Sequence, residues 1–250
     1  VYILFFGYFV FMEIQPSPDD FETGFLEADF VVASGDYHHI EQKLLDKKFR
    51  RYDEKYWNNR VLSPTCLVAY LGFDRIIEGL EHHNLFFDTD FELHAQEIYE
   101  TIKWPTEPLF YACCPSKTDS SVAPMGCENV FLLMPLAPDL VDLPEMREKY
   151  FQKMIQRMEK NLKTGLTNSI IVKRLFCKTD FENEYFSYKG NAYGLANTLG
   201  QTAIFKPSIK SKLPNLYFTG QLTVPGPGLP PALISGKIVA SEIIKKSRDK

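Results

Sequence analysis

The stretch from Asn215 to Lys250, NLYFTGQLTVPGPGLPPALISGKIVASEIIKKSRDK, constrains the fold more than any other part of the chain. Leu216-Tyr217-Phe218-Thr219 is apolar and β-branched, ends at Gly220, and reads as a buried strand. Gly220 to Pro231 then holds three glycines and four prolines, and from Ala232 the apolar residues Leu233, Ile234, Ile238, Val239, Ile243 and Ile244 recur at helical spacing. A strand therefore delivers the backbone to a stiff turn, and the turn delivers it to a helix. Pro230 and Pro231 suit the first helical turn, where an N–H would be orphaned anyway, and the N–H groups after them point out with the positive end of the dipole. Such an end seats an anion or a carbonyl. An ordinary βα unit whose prolines only stiffen a loop has the same pattern.

A chain of 250 residues with 45% hydrophobic content is large enough for one sizeable core or two small ones. The net charge of −4, with acids and bases interspersed, leaves no electrostatic footprint for nucleic acid. Lys245, Lys246, Arg248 and Lys250 read as a solvated helix end. Five cysteines, an odd number without zinc spacing, predict reduced thiols and a cytoplasmic protein, with Cys113 and Cys114 in a core. Val1 to Met12 is almost wholly apolar with six aromatics. It is shorter than the ~20 residues of a spanning helix and has neither a basic leader nor a cleavage site. A buried strand pair, an interfacial segment and sequence outside the native fold all remain open for it, and Glu13 to Glu27 reads as a loop.

Ala28 to Asp36 reads as a short strand and turn, with Asp36 capping a helix over Tyr37 to Leu45. Phe49 to Arg60 carries Tyr52, Tyr56 and Trp57 at helical spacing. Strands are predicted at Cys66 to Phe73, Asn84 to Phe87, Leu109 to Cys114, Val130 to Pro135 and Ser169 to Phe176, and helices at Asp90 to Lys103 and Pro144 to Leu166. The second helix puts Met146, Tyr150, Met154, Ile155, Met158 and Leu162 on one stripe, a pattern of core that also suits a flexible hydrocarbon ligand. No metal site is expected, because adjacent residues such as His82 and His83 point in different directions on a helix or strand. His82 and His83 position a turn or line a tunnel. A G-x-S-x-G elbow for serine hydrolysis is absent.

Tyr217-Phe218-Thr219-Gly220, Pro225-Gly226-Pro227-Gly228 and Pro231-Ala232-Leu233-Ile234-Ser235-Gly236-Lys237, in this order and spacing, closely resemble the C-terminal FAD-contacting segment of bacterial-type phytoene desaturases. These are carotenoid desaturases of the flavin amine-oxidase-like superfamily. In that family the strand, turn and helix close over the flavin, and the helix start faces the pyrimidine side of the isoalloxazine. Ala28 to Asp36 resembles the family's strand at the exit from the FAD domain. Tyr56-Trp57 with Ser63-Pro64-Thr65, Tyr70-Leu71-Gly72, His82-His83, Pro115 to Asp119 with Ala123-Pro124, Gly190 to Leu195 and Gln201-Thr202-Ala203 are similar to further family phrases. The likeness covers roughly residues 28 to 246, and residues 1 to 27 do not match it.

The resemblance implies an α/β fold, with a partial FAD-binding (glutathione-reductase-like) domain at 28–40 and 205–250 and an inserted α+β substrate domain at 41–204 built on an antiparallel sheet. It implies that Gly220, Gln221, Pro225, Gly226, Gly228, Leu229, Pro230, Pro231, Ala232 and Lys237 contact FAD, although Lys237 has the alternative of covering helix surface with its stem. Tyr70, His82, His83 and Tyr193 are candidates for a substrate tunnel. The implied reaction dehydrogenates a long apolar C40 polyene, with a quinone or oxygen as electron acceptor and peripheral attachment to a membrane surface. No residue here is an obvious catalytic acid or base. The G-x-G-x-x-G turn that opens a complete flavoprotein of this kind occurs nowhere in the 250 residues. The chain is therefore expected to be the C-terminal half of a desaturase, to bind FAD weakly or not at all by itself, and to be inactive alone. A non-catalytic truncated module that binds a hydrophobic ligand without FAD, or a related carotenoid isomerase or retinol saturase, is the alternative.

Overall fold

Alternating burial along one nine-residue strand, Glu128 to Leu136, shows how the central layer of this protein is made, with every second side chain turned into the core. The computed structural model describes residues 28–248, so the expectations for Val1 to Met12 and for the Glu13 to Glu27 loop fall outside the described residues. In chain order the elements are β1 (Val31–Ala33), α1 (Tyr37–His39), α2 (Glu54–Asn58), β2 (Thr65–Phe73), β3 (His83–Phe86), α3 (Phe91–Tyr99), β4 (Phe110–Cys113), β5 (Glu128–Leu136), α4 (Pro144–Leu162), β6 (Ile170–Phe176), α5 (Lys178–Tyr185), β7 (Leu216–Phe218) and α6 (Leu229–Arg248). They fall into two compact units, one formed by 64–181 and the other by the described residues 28–63 and 182–248.

The 64–181 unit is an antiparallel sheet of order β3-β4-β5-β2-β6. Leu67, Ala69, Leu71 and Phe73 of β2 join Val130, Leu132, Met134 and Leu136 of β5 on one face. Tyr150, Phe151, Met154, Ile155 and Met158 of α4 pack in the same core, so the methionine stripe is core. The helix stops at Leu162, short of the predicted Leu166, because Lys163 takes a left-handed conformation with φ 53°. The Glu159 carboxylate then gathers the Leu166 and Thr167 N–H groups at 2.6 and 2.9 Å. Helix α3 is also shorter than predicted: Asp90 caps its start by accepting from Glu92 and Leu93, and the chain past Tyr99 reaches a positive φ of 43° at Ile102.

The other unit is built on two parallel strands, β1 and β7, paired Val31 to Leu216, Val32 to Tyr217 and Ala33 to Phe218. Tyr37 stacks on Phe218 with ring centroids 3.7 Å apart. Leu45, Trp57, Leu62 and Leu195 complete the core around these strands. The helix expected over Tyr37 to Leu45 changes character at Ile40 and runs to Leu44 as a π-helical turn. That turn buries Glu41, whose carboxylate accepts from the Arg51 and Tyr52 N–H groups at 2.9 and 3.2 Å. The predicted aromatic helix over Phe49 to Arg60 shrinks to α2, because Asp53 caps it by accepting from Tyr56 at 2.7 Å and leaves Tyr52 outside. Tyr52 still stacks on Tyr56 at 4.2 Å.

Met154 lies fully buried at the centre of the α4 stripe. Met154→Ala is expected to destabilise the protein by about 2 to 5 kcal/mol. A urea midpoint that falls with an unchanged slope checks this, and an unchanged midpoint would show that the stripe does not carry the packing.

Candidate functional site

Because β1 and β7 are parallel, they end on the same side, where ligands bind in open parallel sheets. The Thr219 N–H donates to the Ala33 carbonyl at 2.9 Å, and the Ser34 and Thr219 hydroxyls lie 2.8 Å apart, so the two strand ends are tied together. From β1 the chain turns through Gly35 to Asp36, which caps α1 by accepting from His39 at 2.9 Å and also accepts from the Tyr188 N–H at 3.2 Å. Burial pushes the Asp36 carboxyl above the usual carboxylate range.

From β7 the chain passes through Gly220, Gly226 and Gly228, with φ of 94°, 133° and 111°. A side chain at these angles is strained, and glycine is not. Ser235, fully buried in α6, accepts from the Gly220 N–H at 2.9 Å and donates to the Ala232 carbonyl at 2.6 Å. Thr223, also fully buried, donates through both its N–H and its hydroxyl to the Gly220 carbonyl, at 3.1 and 2.9 Å. The strand end and the helix start are thus held as one piece.

The helix start differs from the expectation in one respect. Pro230 and Pro231 carry no N–H, and the Ala232 N–H is taken by the Gly228 carbonyl at 2.9 Å. The positive dipole end is present, but the first turn has few donors to offer a ligand. Lys206 stands beside the turn at Gly226. A Cβ added to Gly226 would lie 3.1 Å from the Lys206 Cε and 3.4 Å from its Nζ. Lys206 is 5% exposed, and its Nζ has no hydrogen-bond partner among the described residues. Burial holds its pKa below the ordinary lysine value. A bare glycine backbone, a positive helix end and an orphaned buried ammonium together fit the electron-rich edge of a flavin ring. Lys206 was missed in the sequence because a lone lysine in a loop carries no pattern. Ser235 was legible only as part of the Ser-Gly-Lys phrase. Pro225, Gly228, Leu229, Pro230 and Lys237 are exposed, while Gln221, Pro231 and Ala232 are half-buried.

The 64–181 unit holds a second feature, on the face of the sheet turned away from α4. Tyr70, Phe131 and Tyr111 alternate with the core residues Leu71, Leu132 and Ala112 on β2, β5 and β4. Their rings follow one another at 6.5 and 5.7 Å, and His83 of β3 continues the row 5.9 Å from Tyr111. Against the same face, α3 borders a half-open cavity of about 260 Å³ whose lining includes Phe87, Phe91, Ile98, Leu109, Tyr111 and Leu133. His94 closes one side: its Nε2 donates to the Pro135 carbonyl at 3.0 Å and its Nδ1 accepts from the Leu109 N–H at 3.1 Å. Tyr70, His82 and His83 therefore border this face without lining the cavity, and Tyr193 belongs to the other unit.

His82 and His83 do not diverge as adjacency predicted, because His82 precedes the first residue of β3. Their rings lie 4.2 Å apart, and with the Cys113 thiol from β4 their ligand atoms fall within 4.8 Å of one another. Each Nδ1 already has a partner, Thr118 for His82 at 2.6 Å and the Tyr111 hydroxyl for His83 at 2.5 Å. All five cysteines are free, and Cys113 and Cys114 are buried as expected. Desolvation pushes the Cys66 thiol up to about 12, a value at which it is inert as a nucleophile.

Residues 17–244 match the family described as flavin containing amine oxidoreductase, and the chain belongs to that family. It is 41% identical over 218 residues to a carotenoid 3,4-desaturase of Haloarcula japonica, an alignment that covers 87% of this chain and 44% of the relative. It is 31% identical to a 4,4'-diapolycopen-4-al dehydrogenase of Metabacillus indicus, over 90% of this chain and 45% of the relative. It is also 31% identical to a zeta-carotene-forming phytoene desaturase of Myxococcus xanthus, over 88% and 43%. The chain thus spans less than half the length of these relatives. Among the described residues, no helix is long and apolar enough to cross a membrane.

Burial pushes His94 below its ordinary value of 6.5. The unfolded chain then binds more protons than the folded protein as pH falls below that value, so the contribution of His94 is complete above it and lost as pH falls toward the folded pKa. Asp36, shifted upward, acts with the opposite sign, so a difference measurement is required. Between about pH 7 and about pH 5 the Tm of the unsubstituted protein should fall more steeply than that of His94→Gln. Parallel slopes would contradict this.

Proposed function

We propose that this chain is the cofactor-ring and substrate part of a flavin-dependent carotenoid desaturase, an oxidoreductase that dehydrogenates a long apolar polyene of the C40 class. The observation that carries the reading is the turn at the carboxyl ends of β1 and β7, where Gly220, Gly226 and Gly228 leave the backbone bare beside a positive helix end. The residues of this turn would hold the ring of a bound FAD, which would supply hydride-accepting chemistry. The chain's own residues do the rest. Ser235 and Thr223 hold the turn rigid, so that the backbone around Gly226 and Gly228 meets the ring without rearrangement. The aromatic row of Tyr70, Phe131 and Tyr111 offers an apolar surface to a substrate that has no polar handle. The α3 cavity, just below the drug-sized range of about 300 to 1000 Å³, would seat one segment of such a chain against apolar side chains.

The names of the relatives, a carotenoid 3,4-desaturase, a 4,4'-diapolycopen-4-al dehydrogenase and a zeta-carotene-forming phytoene desaturase, support the coarser class of carotenoid-type polyenes without fixing the chain length. We further propose that a glycine-rich pyrophosphate site outside these 250 residues completes the cofactor site, that a quinone or oxygen takes the electrons, and that the assembled enzyme rests on a membrane surface. An apolar side chain left exposed further along α6, Leu233 at 70%, suits that attachment. The absence of G-x-G-x-x-G within the sequence favours one alternative, a module that binds hydrocarbon without FAD. A carotenoid isomerase or retinol saturase would share the ring site.

The test is co-expression of the chain with a glycine-motif half in a host that accumulates a partly saturated carotenoid. The expected result is flavin retained at about one per assembly and pigment absorption moved to longer wavelength as double bonds are added. Unchanged pigment in a flavin-loaded assembly would contradict desaturation, and pigment bound with no flavin would establish the hydrocarbon-binding module.

A further inference from the structure

We propose that the Lys206 ammonium is the cationic contact for the electron-rich pyrimidine edge of the flavin ring, an assignment that rests on the flavin reading of the Gly220 to Ala232 turn. Three observations converge on it. Lys206 is 5% exposed and its Nζ lacks any hydrogen-bond partner among the described residues. Buried charges are ordinarily paired, and an amine buried without a protein partner is open to a polar group from outside the chain. The amine also lies in the turn, since a Cβ at Gly226 would come within 3.1 Å of its Cε and 3.4 Å of its Nζ. Substitution at Gly226, where φ is 133°, would therefore crowd the amine as well as strain the backbone.

The third observation is the chemistry of the α6 start. A helix N-terminus that receives negative charge normally supplies several free N–H donors. Here Pro230 and Pro231 have none, and the Ala232 N–H is spent on Gly228 at 2.9 Å. The dipole favours negative charge at this place but the backbone offers little to hydrogen-bond it. Lys206, against Gly226 in the same turn, supplies a donor from a buried position where a charge acts strongly. By contrast, Lys210 is already committed to Glu242 at 2.5 Å and lies in water.

The test uses the FAD-loaded assembly and a readout independent of turnover. Sulfite adds to the N5 atom of an oxidised flavin ring: its lone pair forms the S–N bond, and the negative charge moves to the N1–C2 carbonyl edge. A cation at that edge tightens the adduct. Sulfite affinity, read by bleaching of the flavin band, should fall at least about tenfold in Lys206→Met and stay within about threefold in Lys206→Arg. The flavin midpoint potential should fall in the Met variant and be restored in the Arg variant. Lys206→Gln, which keeps a donor without the charge, should behave like Lys206→Met and serves if the Met variant fails to fold. Unchanged sulfite affinity in a flavin-loaded Met or Gln variant would overturn the assignment. Weakened FAD retention with unchanged sulfite affinity would also overturn it, placing the ammonium on the cofactor's phosphates. If the unsubstituted assembly takes up no flavin, the flavin reading fails and this assignment fails with it.

Discussion

The Ser235 hydroxyl is the contact on which the turn between β7 and α6 depends. It accepts from the Gly220 N–H and donates to the Ala232 carbonyl, so one side chain joins the end of β7 to the first turns of α6. Without it, a turn of three positive-φ glycines would have many conformations open to it. The hydroxyl is fully buried, and losing it would leave the Gly220 donor unpaired, which costs more than the net value of one hydrogen bond. The pairing of β1 with β7 then fixes where that rigid turn is presented. The two strands end together because they are parallel, and the Ser34 and Thr219 hydroxyls tie the ends across 2.8 Å.

The 64–181 unit follows a different logic. Its sheet is one-sided: α4 and the methionine stripe cover one face, and the aromatic row with the α3 cavity occupies the other. Antiparallel sheets tolerate this asymmetry because successive side chains point to opposite faces. Under the proposed function, this apolar second face is the surface offered to a hydrocarbon. His94 shows how the polar atoms around that cavity are satisfied, with both ring nitrogens committed to backbone and the ring held neutral by burial.

Much of this was legible in the sequence. Each strand of the antiparallel sheet was placed from alternation or apolar runs, and β7, the glycine turn and α6 from punctuation by Gly and Pro. What escaped had physical reasons. Helix ends were misplaced where a side chain or a left-handed residue ended the helix early, as at Lys163 and Ile102, because periodicity continues past such points. The π turn at Ile40 depends on a buried carboxylate receiving two N–H groups from residues about ten positions away, which no local pattern contains. The donors expected at the helix start were lost to the same prolines that announced it. His82 and His83 converge because the first of them lies outside the strand. Lys206 had no signal at all: its meaning comes from burial beside Gly226, a contact across twenty residues of sequence.

The central claim is that the turn between β7 and α6 meets the flavin ring. Amide hydrogen exchange of the assembled protein, compared with and without FAD, tests it most directly. The account predicts slower exchange across 219–232 in the FAD-loaded sample, centred on Gly226 and Gly228. Flavin bound at full occupancy with exchange across 219–232 unchanged would contradict it.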